Sequence, residues 1–209
     1  MPSSRTSGAD TRTRLLNSAQ HLFAERGYAA VSTKAICGAA RANIAAIHYH
    51  FGSKEALYRR VLERFLTAAG MDRLSALLAP PSGREEFRLK LEMFLRFAAE
   101  GIAETPDLAR IIRRDTEIMQ APTRRVFMAT FYRIFLMIVA FMRAAKEKKL
   151  LRPSVDPFAA ARFLDTQVSS QIHCGNVRSL LKMGNLADPA YRAKWASDTA
   201  DLVLNGVLR

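Results

Sequence analysis

Three observations predict an all-α protein with a small helical head and a larger helical body. From Leu15 onward, apolar residues recur three and four apart, the spacing of one helix face. A capping side chain followed by proline at the first helical position occurs at Thr105-Pro106, Asp156-Pro157 and Asp188-Pro189. No alternating apolar–polar run of strand length interrupts these patterns.

The elements follow in order. Residues 1–10 read as a flexible arm, and Asp10 or Thr11 caps a first helix of about Thr11 to Arg26. Leu15, Ala19, Leu22 and Phe23 form its inner face, and Gly27 supplies a left-handed stop. Ser32 or Thr33 caps a short second helix with Ile36 and Ala40 inward. Asn43 caps a third with Ile47 and Phe51 inward, and only Arg41 and Ala42 separate the pair. Gly52 ends the third helix and Ser53 caps a fourth, continued by Leu57, Val61 and Phe65. Pro80-Pro81-Ser82-Gly83 is a loop, and a long Phe- and Met-rich helix runs around Thr123 to Lys149.

Composition narrows the function. The 209 residues include 49% hydrophobic and 24% charged, enough for a sizeable core under a soluble surface. The formal net charge of +13 points to a polyanion. Position sharpens this, because no Asp or Glu occurs from Arg26 to Lys54, while Arg26, Lys34, Arg41 and Lys54 all do. Two distant cysteines, Cys37 and Cys174, make no disulfide framework and fit a reduced, cytoplasmic setting. The opening MPSSRTSGAD lacks the apolar core of a signal peptide. The longest apolar run, Ile134 to Met142, is short of the ~20 residues a bilayer needs, so no membrane partner is expected.

The acid-free stretch ends in AAIHYHFGSKEALY, Ala45 to Tyr58. No metal is expected here: His48 and His50 point about 200° apart on a helix and do not easily chelate one ion, and no Cys or carboxylate nearby completes a ligand set. No nucleophile–base pair or phosphate-cradling glycine loop supports catalysis, so neither enzyme activity nor a cofactor is expected. An external anion remains. Helix, tight turn, helix is the helix-turn-helix arrangement, whose second helix enters the major groove of double-stranded DNA. Here the pair is about Thr33–Ala40 and Asn43–Phe51. Asn43 offers hydrogen bonds to base edges, and Ile44, Ala45 and Ala46 offer close apolar contact with thymine methyls. His48, Tyr49, His50 and Lys54 follow as donors to phosphate oxygens.

Residues 11–66, through TRTRLLNSAQHLFAERGYAAVST and IHYHFGSKEALYRRVL, resemble the DNA-binding domain of the tetracycline-repressor (TetR) family of bacterial regulators. The resemblance implies a helix-turn-helix domain over 11–52 joined to a helical effector-binding and dimerisation domain over 53–209. It implies a homodimeric repressor acting on a palindromic operator and released by a small molecule. It adds Thr33 and Lys34 to the DNA contacts. Arg41 departs from the family, which usually has glycine in that turn. A left-handed backbone there costs about 1 kcal/mol with Arg in place of Gly.

The body is less specific. Phe94, Phe97, Met119, Phe127, Phe131 and Phe135 form an adaptable apolar surface, either the lining of a hydrophobic effector pocket or ordinary helix-packing core. Asp165 and Gln171 interrupt an apolar helix and either fix a ligand's polar group or face solvent. Two late stripes, Ala161, Leu164, Val168 and Ile172, and Trp195, Thr199 and Leu202, give a four-helix dimer interface or pack within one protomer. Two rival classes stand beside the regulator. An enzyme using the Phe/Met surface predicts turnover, and a protein binding nucleic acid by charge alone predicts no sequence preference.

Overall fold

The computed structural model describes residues 4–118 and 123–207. The elements are α1 (Ser4–Ala30), α2 (Thr33–Ala39), α3 (Ala45–Phe51), α4 (Lys54–Ala69), α5 (Met71–Leu77), α6 (Arg84–Glu104), α7 (Pro106–Ile118), α8 (Thr123–Glu147), α9 (Pro157–His173), α10 (Gly175–Leu180) and α11 (Pro189–Val207). No β-strand occurs among the described residues. The all-α architecture is therefore as the sequence predicts.

The chain divides into two compact units. One comprises Met1–Phe65 with Pro106–Thr130, and the other Leu66–Thr105 with Phe131–Arg209. The first unit is thus larger than the helix-turn-helix segment 11–52 expected from sequence. It takes in the first turns of α4 and recruits α7, whose buried Leu108, Ile111 and Ile112 make an apolar face, and which packs on α1.

Within this unit α1 carries the core through Leu15, Leu16, Ala19, Leu22 and Phe23. The helix reaches back to Ser4, past the expected start at Thr11. Residues 4–10 contain no proline, and their one glycine, Gly8, costs a helix only about 1 kcal/mol. Asp10 accordingly is not a cap; it forms an i,i+4 ion pair with Arg14. At Gly27 the backbone turns to φ 78°, ψ 162°, so α1 kinks, and one further helical turn follows to Ala30. A Cβ built on Gly27 would meet the Arg114 Cδ at 3.0 Å, a second reason for glycine. Ser32 and Ser53 act as predicted: each hydroxyl accepts from the backbone N–H three residues on, at 3.1 and 3.0 Å.

The second unit is built on α6, which packs against α5, α9 and α11. Its core joins Leu74 and Leu77 of α5, Phe87, Leu91 and Leu95 of α6, Ile138, Phe141 and Met142 of α8, Leu164 of α9 and Val203 of α11. The Phe87 and Phe141 rings stack at 5.1 Å. The predicted caps at Asp156 and Asp188 both form, with carboxylate oxygens accepting from Ala159 and Ala190 at 2.8 and 2.9 Å. Thr105 differs: its hydroxyl donates back to the Gly101 carbonyl at 2.6 Å, closing α6 instead of capping α7. Glu86 accepts from the Ser82 N–H at 2.6 Å and pairs with Lys90 at 2.8 Å, and these bonds hold its carboxyl down at about 2.

The apolar run in α8 needs a correction. Counted along the whole 25-residue helix, Thr123–Glu147 is long and apolar enough to cross a bilayer, although the uninterrupted run is not. Its apolar side chains have another use, since Ile138, Val139, Phe141, Met142 and Ala145 are buried in the second unit's core.

Candidate nucleic-acid interface

The helix pair is held by backbone geometry that the sequence only hints at. Ala40 is the C-cap of α2. Arg41 follows at φ 49°, a left-handed residue that is not glycine. Its N–H donates to the Gly38 carbonyl at 3.2 Å, and the Ala42 N–H donates to the Cys37 carbonyl at 2.9 Å. These two bonds close the end of α2 in the manner of a Schellman turn. The Cys37 thiol, pushed up by burial, lies 3.9 Å from the Ile44 carbonyl and ties α2 to the start of α3.

Asn43 accepts from the Ala45 N–H at 2.9 Å through its Oδ1, so it caps α3 from one position before Ile44. Its carboxamide oxygen is thereby committed, and the NH2 group is the half left for a base edge. Ile36 and Ile47 are fully buried between the helices. The opposite face is open: Tyr49 is 85% exposed and Ile44 56%. Lys34, Asn43, Ala45 and His48 are exposed with them, while Thr33, Ala46 and His50 are half-buried. Ala46 therefore presents less surface to a groove than its neighbours.

The aromatic end of α3 is ordered by local contacts. The His48 Nδ1 donates to the Gly52 carbonyl at 2.9 Å, which leaves Nε2 facing outward. The His50 ring meets Tyr49 edge-on at 4.8 Å. Lys54, in the first turn of α4, places its ammonium 4.2 Å from the centre of the Tyr28 ring, and burial lowers its pKa. The ammonium is therefore held by an aromatic face, still with N–H groups to offer a phosphate. Glu55 beside it pairs with the exposed Arg125 at 3.4 Å. Tyr28, Arg12 over the Phe51 ring at 5.3 Å, and Arg14 all brace this region, and sequence reading missed them. The one available signal was the Asp10–Arg14 spacing of four.

The residues expected to line an effector pocket do not form one group. Phe94 and Phe97 are buried in the second unit's core, and Phe135 packs against it, edge-on to Phe158 at 5.3 Å. Phe131 falls in the same unit, but Phe127 belongs to the first. Gln171 is buried with an unpartnered Oε1, and Asp165 is exposed. Met119 lies outside the described residues.

The expected dimer stripe also divides. Leu164 is 0% exposed inside its own protomer's core and is not available to a second copy. Val168 and Trp195 pack on that same core, and Ile172 is half-buried. The 161/164/168 spacing is the inward face of α9. Leu202 of α11 is 74% exposed, and Phe158 and Phe163 of α9 are each 49% exposed.

An exposed, acid-free helix pair on a three-helix core defines a helix-turn-helix DNA-binding regulator. The family model for bacterial regulatory proteins of the tetR family matches residues 15–61. The HTH-type transcriptional regulator UidR of Escherichia coli (strain K12) is 26% identical over 165 residues, 78% of this chain and 81% of that protein. Solved structures share the fold. The ketosteroid transcriptional regulator KstR2 of Mycobacterium tuberculosis superposes with a TM-score of 0.68 at 20% identity, over 100% of this chain and 97% of that one. The fatty acid degradation regulator FadR from Bacillus halodurans gives 0.73 at 15% identity, over 94% and 95%. Residues 15–61 are thus similar to the DNA-binding segment of the tetR family of bacterial regulatory proteins, and most of the chain is similar to a transcriptional regulator. The relatives it matches are transcriptional regulators, not enzymes.

Proposed function

We propose that the chain is a ligand-responsive repressor that binds a palindromic operator as a homodimer and is released by a small hydrophobic effector. The observation that carries the DNA half is the outward face of α3, with Ile44, Ala45 and Tyr49 exposed in a segment free of acidic residues. Asn43, Ile44, Ala45 and Ala46 face base edges, while Thr33, Lys34, His48, Tyr49, His50 and Lys54 hold the phosphates. Two such helices read half-sites about 34–36 Å apart. Leu202, with Ile172, Val168 and Trp195 at its margin, belongs to the interface between copies.

The effector half rests on the apolar side chains of the second unit, Phe94, Phe97, Phe131 and Phe135, with Gln171 as a buried polar group lacking a partner for its oxygen. The names of two relatives of the same fold, a ketosteroid regulator and a fatty acid degradation regulator, support a hydrophobic ligand. Such a ligand lowers operator affinity by binding the DNA-incompetent state more tightly. The site of action is the cytoplasm, where the DNA is.

A footprint on fragments of the source genome at about 150 mM salt tests this reading. Protection of two symmetric half-sites, lost on adding effector, is the expected result. Uniform protection that fades with salt leaves a protein that binds by charge alone.

A further inference from the structure

The α2–α3 turn poses a mechanical problem. Its left-handed residue is Arg41, which resists that conformation by about 1–2 kcal/mol. The carbonyls at the end of α2 also lack helical partners. Both difficulties meet at Ala40, immediately before Arg41. A guanidinium from α1 reaches this point: the Arg14 Nε donates to the Ala40 carbonyl at 3.1 Å, across 26 residues of sequence. The other two nitrogens are also engaged. Nη2 donates to the Thr11 hydroxyl at 3.1 Å, and Nη1 pairs with Asp10. The side chain is therefore aimed, with its planar fork fixed by two residues of its own helix. A cation at a helix C-terminus also suits the helix dipole.

We infer that Arg14 is a positioning residue of the reading head: it ties α1 to the Ala40 carbonyl, holds the turn at Arg41, and so fixes the angle at which α3 meets DNA. The inference rests on the proposed DNA-binding function, and it assigns sequence discrimination to a side chain that touches no base. Asp10 and Thr11 aim the guanidinium, and Ala40 receives it. Loss of the bond leaves α3 folded on Ile36 and Ile47 but free to tilt. Tilting weakens contacts that need exact register, those to base edges, more than contacts to phosphates.

The test uses the full chain as wild type, Arg14→Ala and Arg14→Lys. The DNA probes are the duplex that the wild type selects from a randomised pool and a scrambled duplex of equal length. Arg14→Ala is expected to bind the selected duplex about tenfold more weakly. Binding to the scrambled duplex and the slope of log K against log salt are expected to stay unchanged. Arg14→Lys keeps the charge, loses the fork, and falls between. In the free protein, hydrogen exchange at the Arg41 and Ala42 amides is expected to quicken in Arg14→Ala. A salt slope shallower by about one phosphate contact would overturn the inference, because Arg14 would then be touching DNA itself. Unchanged discrimination with unchanged exchange would overturn it too, as an idle contact. If the wild type selects no sequence at all, the regulator reading fails, and exchange in the free chain still decides whether Arg14 holds the turn.

Discussion

Asp115 of α7 is 6% exposed, and its Oδ2 has no hydrogen-bond partner. Burial pushes its carboxyl from 3.8 up to about 6. In the unfolded chain the proton leaves near the lower value, so between the two the unfolded state binds fewer protons and stability falls as pH rises. The full penalty, at most about 3 kcal/mol, applies above pH 6. Asp115→Asn is therefore expected to raise the melting temperature near neutral pH and to give no gain near pH 4, read by thermal unfolding at both. Arg41 makes a second residue-scale case. At φ 49° it sits where glycine is at ease, so Arg41→Gly is expected to stabilise the fold by about 0.5–1 kcal/mol. If Arg41 also touches phosphate, the same variant will show a shallower salt slope.

At the scale of the helix, α3 divides its labour along its length. In the proposed reading its start, with Asn43 and Ile44 just before it and Ala45 at its first turn, faces base edges, and its end, with His48, Tyr49 and His50, faces phosphates. If Tyr49 holds phosphate as proposed, Tyr49→Ala is expected to weaken binding to all duplexes alike, by severalfold in a titration. Asn43→Ala removes both a cap and a base contact. It is expected to lower stability by about 1 kcal/mol and to change the preferred bases in a selection experiment. The helices themselves were legible in the sequence because their signals are local. Ser32, Ser53, Asp156 and Asp188 each cap within three residues of where they stand. Arg14 was not legible, because its partner at Ala40 is set by how α1 lies across α2, and no pattern along the chain encodes that meeting. Lys54 was legible as a cation near α4, but its seat on Tyr28 was not, for the same reason.

For the whole molecule, the division of apolar surface between core and partner decides assembly. The i, i+3, i+4 spacing marks apolar faces without saying which is internal, so Leu164 and Leu202 read alike in sequence. In the structure one is sealed and the other bare. Leu202→Glu is expected to leave the protomer folded but shift sedimentation toward a monomer and abolish half-site pairing. Leu164→Ala is expected to cost about 2–5 kcal/mol of stability through a cavity. The reverse pattern would place the interface elsewhere. Which apolar side chains would meet an effector was illegible on the same grounds, since Phe94 and Phe97 follow a core rhythm and are buried in the second unit's core.

The first compact unit is built from two separated stretches of chain, Met1–Phe65 and Pro106–Thr130. A ribosome delivers these in order, with forty residues of the other unit between them. The reading head therefore emerges early but waits for α7 before α1 is covered. The same delay applies to any truncated gene: a fragment ending after α4 carries every residue proposed to touch DNA and leaves bare the face of α1 on which α7 packs. In this chain, the capacity to read DNA and the capacity to stay folded while reading it are encoded in different places.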